Sequence, residues 1–132
     1  MYRILDQRLH RLFNANPHAV FNGRLIGLEK EALRVAPDGY ISQVPHPTIL
    51  GSALTHPYIT TDYSEALLEF ITPPLADPDA ALQFLRNVHQ FVYRHIGDEL
   101  LWAASMPRIL NGEASIPIAD YGGSNLGLMK HV

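Results

Sequence analysis

The sequence predicts an α+β domain with antiparallel strands. Apolar residues recur at helical spacing in two segments, and between Arg24 and Val35 they alternate with a period of two. Two tight-turn signals, Asn22-Gly23 and Asp38-Gly39, flank this alternating stretch. Tight turns favour antiparallel pairing, and the order helix, hairpin, strand, helix, strand is typical of the α+β class.

The first elements are a helix and a hairpin. Residues 2–14 repeat apolar side chains at helical spacing with arginines and a glutamine between them, and asparagine and proline residues then end the helix. The alternating strand follows, from Arg24 to Val35. After the Asp38-Gly39 turn, residues 40–43 are expected to return antiparallel to it.

A loop and a broken strand come next. Residues 44–57 contain three prolines and a glycine, which predicts a loop with a helical turn at 48–53. Residues 58–72 are rich in β-branched and aromatic types, which predicts one or two strands with a break near Ser64. Pro73-Pro74 ends this stretch, because proline cannot donate to a strand ladder.

The second helix has signals at both ends. Asp77 is a typical N-cap with Pro78 at the first helical position, and the apolar stripe continues to about Ile96. Gly97 is a natural C-cap. Residues 100–105 then predict a short strand, and the rest of the chain is expected to be mostly loop.

The composition narrows the classes of function. The chain has 132 residues, 47% of them hydrophobic, which suits one domain with a real core, either complete or the front piece of something longer. A net charge of −3 disfavours a nucleic-acid partner, and no apolar run approaches the roughly 20 residues that span a bilayer. There are no cysteines, so disulfides and thiolate chemistry are excluded. A cytoplasmic location is expected.

Two carboxylates interrupt the first strand. Glu29 and Glu31 point to the same side, about 6–7 Å apart by strand rise. That side also carries Leu25, Leu33 and Val35, so it is expected to be the packed one. Unpaired carboxylates there would be costly, and a divalent cation or a basic partner would remove the cost. The alternative is a solvated face, or pairing with Arg and Lys from elsewhere.

A second acidic cluster consists of Asp62, Glu65 and Glu69, again among apolar residues. Glu65 and Glu69 share strand parity, so four or five carboxylates would converge if this strand lies beside the first. Hard oxygen ligands suit Mg²⁺ or Mn²⁺, and Mg²⁺ held by carboxylates usually serves nucleotide phosphates. The alternative for each residue alone is an exposed strand position.

Other groups give weaker signals. The seven histidines show no metal-ligand spacing, and His46 and His56 lie in the proline-rich loop. Residues 122–125, Gly-Gly-Ser-Asn, could bind an anion through backbone amides, but no helix pattern follows them. No serine has a paired base, so no catalytic nucleophile is predicted.

Long motifs in the chain resemble the proteobacterial glutamate–cysteine ligase family. They are Gly-Leu-Glu-Lys-Glu-Ala-Leu-Arg at 27–34, Gly-Ser-Ala-Leu-Thr-His-Pro-Tyr-Ile-Thr-Thr-Asp at 51–62, and Glu-Ala-Leu-Leu-Glu-Phe-Ile-Thr-Pro at 65–73. Gly-Asp-Glu at 97–99, Ser-Met-Pro at 105–107 and Tyr-Gly-x-Ser-Asn at 121–125 continue the resemblance.

The resemblance implies ATP- and Mg²⁺-dependent formation of γ-glutamylcysteine from glutamate and cysteine, the first step of glutathione synthesis. It also implies a curved, largely antiparallel sheet that forms part of a glutamine synthetase-like funnel. By resemblance Glu29, Glu31, Asp62 and Glu69 occupy metal-binding positions, and Tyr63 occupies a position that contacts the cysteine substrate. No general base is identified.

The chain departs from the family in three respects. Arg108 stands where the family usually has cysteine, Leu128 stands where it usually has arginine, and family members are several times longer. We therefore expect an N-terminal portion of the ligase catalytic domain that is inactive alone. One alternative is a non-catalytic remnant, or a small binding module that self-associates through an open sheet edge. Another is a related carboxylate–amine ligase with a different amine acceptor.

Overall fold

A four-stranded antiparallel sheet organises the chain in the computed structural model, which describes residues 2–106 and 109–130. The strands lie in the order β2-β3-β1-β4, and each neighbouring pair is antiparallel. Their bounds are Glu29–Val35 for β1, Ile59–Thr61 for β2, Leu67–Ile71 for β3 and Leu100–Trp102 for β4. The predicted α+β class with an open antiparallel sheet is confirmed.

Four helices accompany the sheet in the described residues: α1 (Tyr2–Asn14), α2 (Pro17–Val20), α3 (Pro78–Tyr93) and α4 (Asn125–Lys130). Short 3₁₀ turns occur at Thr48–Leu50 and Glu113–Ser115. None of the helices in this part of the chain has the length and apolar character needed to cross a bilayer.

The predicted caps of α3 hold at its start and shift at its end. The Asp77 carboxylate accepts the backbone N–H of Asp79 at 3.1 Å, and Pro78 begins the helix. The helix ends at Tyr93 rather than Ile96, because the following amides bond three residues back and tighten the chain into turns. Gly97 then adopts a φ of 61°, as expected for a residue that reverses the chain after a helix.

The strands are shorter than predicted, although the turns are where the sequence places them. Gly39 adopts a φ of 89° in the turn after β1. Residues 40–42 then return antiparallel to β1 through one bridge, between Val35 and Ile41. Residues 62–66 break the second stretch into β2 and β3, as predicted near Ser64. Upstream of β1, one bridge between Ile26 and Leu75 replaces continuous pairing. Arg108 lies outside the described residues.

The hydrophobic core lies between α3 and one face of the sheet. The sheet side is formed by Ala32, Leu68, Phe70 and Ile59, and α3 and its end contribute Leu85, Val92 and Ile96. The packed face of β1 is therefore the one with Ala32, and not the face with Glu29 and Glu31. The prediction that the glutamate face is packed is wrong, because α3 covers the opposite side.

Arg34 is a charged residue on the buried face of β1, and its hydrogen bonds compensate for its burial. Its side chain is fully buried, and its guanidinium donates to Glu99 Oε2 at 2.9 Å. It also donates to the carbonyl oxygens of Val44 at 2.7 Å and Glu65 at 3.0 Å. One side chain on β1 thus connects the hairpin return, the turn before β3 and the segment after α3.

We expect Glu99→Gln to lower the free energy of unfolding by about 3 kcal/mol or more, because it leaves the buried Arg34 guanidinium without a compensating charge. Urea denaturation followed by circular dichroism measures this loss. Asp6→Asn is the matched control, since Asp6 and His10 form an exposed pair at 4.0 Å, and it should change stability by less than about 0.5 kcal/mol. Equal losses in the two variants would contradict the structural role of Arg34–Glu99.

Candidate metal and substrate site

Three glutamates share the face of the sheet opposite α3. Glu31 of β1 lies directly across from Glu69 of β3 in the strand register. Paired positions of this kind place Cβ atoms about 4.5–5.5 Å apart. Glu29 lies two residues along the same strand and on the same face, about 6–7 Å from Glu31. The register therefore joins the two acidic clusters that the sequence presents separately.

These glutamates line a groove of about 660 Å³. Lys30, Leu33, Leu67 and residues 102–106 form the rest of the lining. Trp102 lies opposite Leu33 in the register, and its indole N–H donates to the Met106 carbonyl at 2.8 Å. The tryptophan thereby ties residues 103–106 into a wall beside the carboxylates. Sequence reasoning did not select Trp102, although it is the one tryptophan in the chain.

The groove is open to solvent. Glu29 and Glu31 are exposed and Glu69 is half-buried. Neither Glu29 nor Glu31 forms an ion pair with a Lys or Arg that the structure describes. The solvated face, one of the alternatives left open by the sequence, is the arrangement observed for these two carboxylates. Their negative charges reinforce one another at these separations and attract cations.

Asp62 and Tyr63 lie at the end of this face, in the turn between β2 and β3. The Asp62 amide donates to the Leu67 carbonyl at 3.0 Å, which extends the β2–β3 register by one position. Strand alternation then places Asp62 on the face of Glu69, one diagonal step away. Tyr63 follows with 72% of its surface exposed.

The carboxylates share a face without converging on one point. In residues 2–106 and 109–130, no three His, Asp or Glu side chains form a group that could hold a metal ion as arranged. Carboxylate oxygens are nevertheless the ligands that Mg²⁺ and Mn²⁺ prefer, so the donor set fits these cations chemically. The ligand set Glu29, Glu31, Asp62 and Glu69 stays a prediction.

Glu65 is not part of the groove, and the expectation that it continues the face of Glu69 is wrong. It lies in the turn before β3, where strand alternation does not apply, and it is buried. Its carboxylate accepts the backbone N–H of His46 and that of Asp120, both at 2.7 Å. The side chain therefore holds two loops together, a role that only long-range contacts reveal.

A short helix, α4, begins at Asn125, where no helix was predicted from the sequence. The hydroxyl oxygen of Ser124 accepts the N–H of Gly127 at 3.1 Å, as an N-cap side chain does for the first turn of a helix. A Cβ on Gly127 would overlap the carbonyl oxygens of Tyr121 and Gly122. Ser124 before an amphipathic hexamer was the available signal for α4.

The profile of the glutamate-cysteine ligase family matches residues 9–132. The chain belongs to this family. The motif resemblance is thereby confirmed, since this match covers nearly the whole chain.

Individual ligases agree with this assignment. The chain is 56% identical over 128 residues to the glutamate–cysteine ligase of Alcanivorax borkumensis, covering 97% of the chain and 24% of that protein. It is 53% identical over 132 residues to the ligase of Pseudomonas putida KT2440, covering 100% of the chain and 25% of that protein. The chain thus spans about a quarter of the length of these curated ligases.

Two solved structures share the fold. The glutamate–cysteine ligase of Francisella tularensis, solved in complex with AMP, superposes with a TM-score of 0.78 at 39% identity, over 82% of this chain and 22% of that one. A bifunctional glutathione synthetase from Pasteurella multocida gives a TM-score of 0.73 at 37% identity, over 82% of this chain and 15% of that one. The open antiparallel sheet is therefore the ligase fold that the motifs implied.

The backbone N–H of His46 donates to the Glu65 carboxylate, and the imidazole ring is half-buried. Its Nε2 lies 3.1 Å from the Gly51 carbonyl and carries the proton, because a carbonyl only accepts. The buried Nδ1 has no hydrogen-bond partner in the part of the chain that the structure describes. Burial lowers the pKa of His46, although the bond to Gly51 and the charge of Glu65 oppose the shift. Burial also lowers the pKa of His89, which packs against Phe70.

We expect the free energy of unfolding to fall as the pH drops below 6.5, the ordinary pKa of histidine. Because the folded-state pKa of His46 lies below its unfolded value of 6.5, the unfolded chain binds more protons in this window. The contribution of His46 to the free energy of unfolding is therefore fully present above pH 6.5 and is lost on acidification. Urea denaturation at pH 7.5 and 5.5 measures the slope. His46→Gln, which keeps an N–H donor for Gly51, should flatten the slope, and adding His89→Gln should flatten it further. An unchanged slope in His46→Gln would refute this role.

Proposed function

We propose that this chain is the N-terminal portion of a glutamate–cysteine ligase and supplies carboxylates for ATP- and Mg²⁺-dependent formation of γ-glutamylcysteine. The observation that carries the proposal is the pairing of Glu31 with Glu69 across β1 and β3, with Glu29 on the same open face. Membership in the ligase family and the AMP complex of the Francisella tularensis relative support a nucleotide as co-substrate.

Glu29, Glu31, Asp62 and Glu69 would hold Mg²⁺ or Mn²⁺ on this face. When bound, the cation supplies positive charge that neutralises the nucleotide phosphates and the phosphorylated carboxylate of glutamate. The side chains themselves contribute oxygen donors from two neighbouring strands, and the backbone pairing of β1 and β3 fixes the spacing of these donors. Strands carry three of the four residues, so their backbone is already placed, and binding would order the exposed side chains around the cation.

Tyr63 is proposed to contact the cysteine substrate. Its ring stands free at the turn beside Asp62, with 72% of its surface accessible. An exposed aromatic side chain next to a carboxylate offers an apolar surface for a thiol side chain close to the proposed metal. The choice of amine acceptor also depends on parts of the ligase outside this chain, which covers about a quarter of its relatives.

We propose that the chain alone does not turn over substrate. Amide ligation through an acyl phosphate needs a site that excludes water and surrounds the transferring group. Here the groove is open and Glu29 and Glu31 are exposed. The cytoplasm is the proposed location, because it supplies ATP and keeps the thiol of cysteine reduced.

We expect Glu31→Gln and Glu69→Gln each to weaken Mn²⁺ binding by about tenfold or more, because each removes a charged oxygen donor. Titration of the chain with Mn²⁺, with free ion measured by electron paramagnetic resonance, tests this. Glu113→Gln is the control, since Glu113 is an exposed carboxylate in a 3₁₀ turn and is not among the residues that line the groove, and it should leave the affinity unchanged. Equal affinity in all variants would exclude the groove as a cation site.

Activity is tested with a chimaera in which this chain replaces the matching quarter of the Alcanivorax borkumensis ligase. With ATP, glutamate and cysteine, the chimaera should release phosphate and form γ-glutamylcysteine, and the chain alone should do neither. Replacing cysteine with other amino acids tests the acceptor.

An inactive but folded chimaera, together with a chain that forms dimers by light scattering, would favour the non-catalytic self-associating module. Turnover by the chain alone at the rate of the chimaera would contradict its proposed incompleteness.

A further inference from the structure

The turn that carries Asp62 and Tyr63 is bound along its length by one later segment of the chain. We refer to residues 62–65 as the site turn and to residues 117–121 as the bracing segment. Backbone bonds join them: the Glu65 amide donates to the Pro117 carbonyl at 2.8 Å, and the Ala119 amide donates to the Tyr63 carbonyl at 3.1 Å. The site turn is therefore held by residues more than fifty positions away.

Side chains at the two ends complete this attachment. At one end the Glu65 carboxylate accepts the Asp120 amide at 2.7 Å. At the other end the Tyr121 hydroxyl lies 2.9 Å from the Thr61 carbonyl and 3.0 Å from the Asp62 carbonyl. A hydroxyl has one proton, so Tyr121 shares a single donor between these two consecutive carbonyls. This contact is made on the backbone of the proposed metal ligand itself.

The Tyr121 contact matters because it holds the backbone of Asp62, whose side chain, like that of Tyr63, is not buried by the fold. Asp62 and Tyr63 are both exposed. Exposed side chains keep rotamer freedom, so the positions they can reach depend on how firmly their backbone is held. β2 ends at Thr61, and the register bond of the Asp62 amide to Leu67 is the last one of the ladder. Beyond that point the bracing segment takes over from the sheet.

We propose that Tyr121 is a positioning residue of the ligase: its hydroxyl fixes the backbone at Asp62, and so holds Asp62 on the face of the groove carboxylates and Tyr63 next to it. The inference rests on the proposed function, because it takes Asp62 as a cation ligand and Tyr63 as a contact for the amine substrate. Tyr121 itself touches neither substrate nor cation in this assignment. It acts through two backbone carbonyls.

The test is Tyr121→Phe in the chimaera, because this change removes the hydroxyl and keeps the ring. We expect KM for cysteine and the Mg²⁺ concentration for half-maximal rate to rise about three- to tenfold, the loss typical of one neutral hydrogen bond. The thermal midpoint should stay within about 2 °C of the parent. Tyr58→Phe is the matched control, since the Tyr58 ring packs edge-on against Phe84 of α3 at 5.0 Å, and both constants should be unchanged.

A double variant separates positioning from general stability. In a Tyr63→Ala chimaera, which has already lost the proposed substrate contact, adding Tyr121→Phe should change KM for cysteine by less than about twofold, because coupled residues are not additive. Equal KM values in Tyr121→Phe and its parent, or a lower kcat with both constants unchanged, would overturn the inference while the active parent upholds the proposed function. A folded parent chimaera without activity overturns the proposed function, and the inference with it.

Discussion

The buried ion pair between Arg34 and Glu99 is the interaction on which the rest of the structure depends. Arg34 lies in the central part of the sheet, on the face that α3 covers, and its charge is compensated within the core. The same guanidinium satisfies carbonyls of Val44 and Glu65. A buried charge is tolerated only when it is paired and hydrogen-bonded, so these contacts have to form together. These contacts hold the hairpin return and the turn before β3 next to the sheet.

This arrangement separates the acidic residues into two roles. Glu99 and Glu65 are buried and spend their oxygens on a guanidinium and on backbone amides. Glu29, Glu31 and Glu69 stand on the face opposite α3 and line the groove. One residue type thus stabilises the framework on one side of the sheet and is exposed or half-buried on the other. The difference comes from which face α3 packs against and not from local sequence.

The groove and the site turn are held in place by contacts within the chain, which spans about a quarter of the length of its curated relatives. The strand register fixes Glu31 against Glu69, Trp102 holds the groove wall through Met106, and the bracing segment holds the site turn. Each of these contacts lies within the chain. Enclosure is a different requirement, because a phosphoryl-transfer site needs protein on several sides of the nucleotide. Under the proposed function, this chain supplies one wall of such a site.

The sequence by itself determined the α+β class, the two long helices, the turns at Gly39 and Ser64, the Asp77 cap, the parity of Glu29 with Glu31 and the ligase family. These depend on residues a few positions apart, or on motifs that can be compared directly. Only the tertiary structure decided which face is packed, that Glu65 binds loops, and that Tyr121 reaches Asp62. Those outcomes rest on contacts between residues 19 to 65 positions apart. Periodicity cannot report them, because it describes the order of side chains along an element and not what the folded chain brings against it.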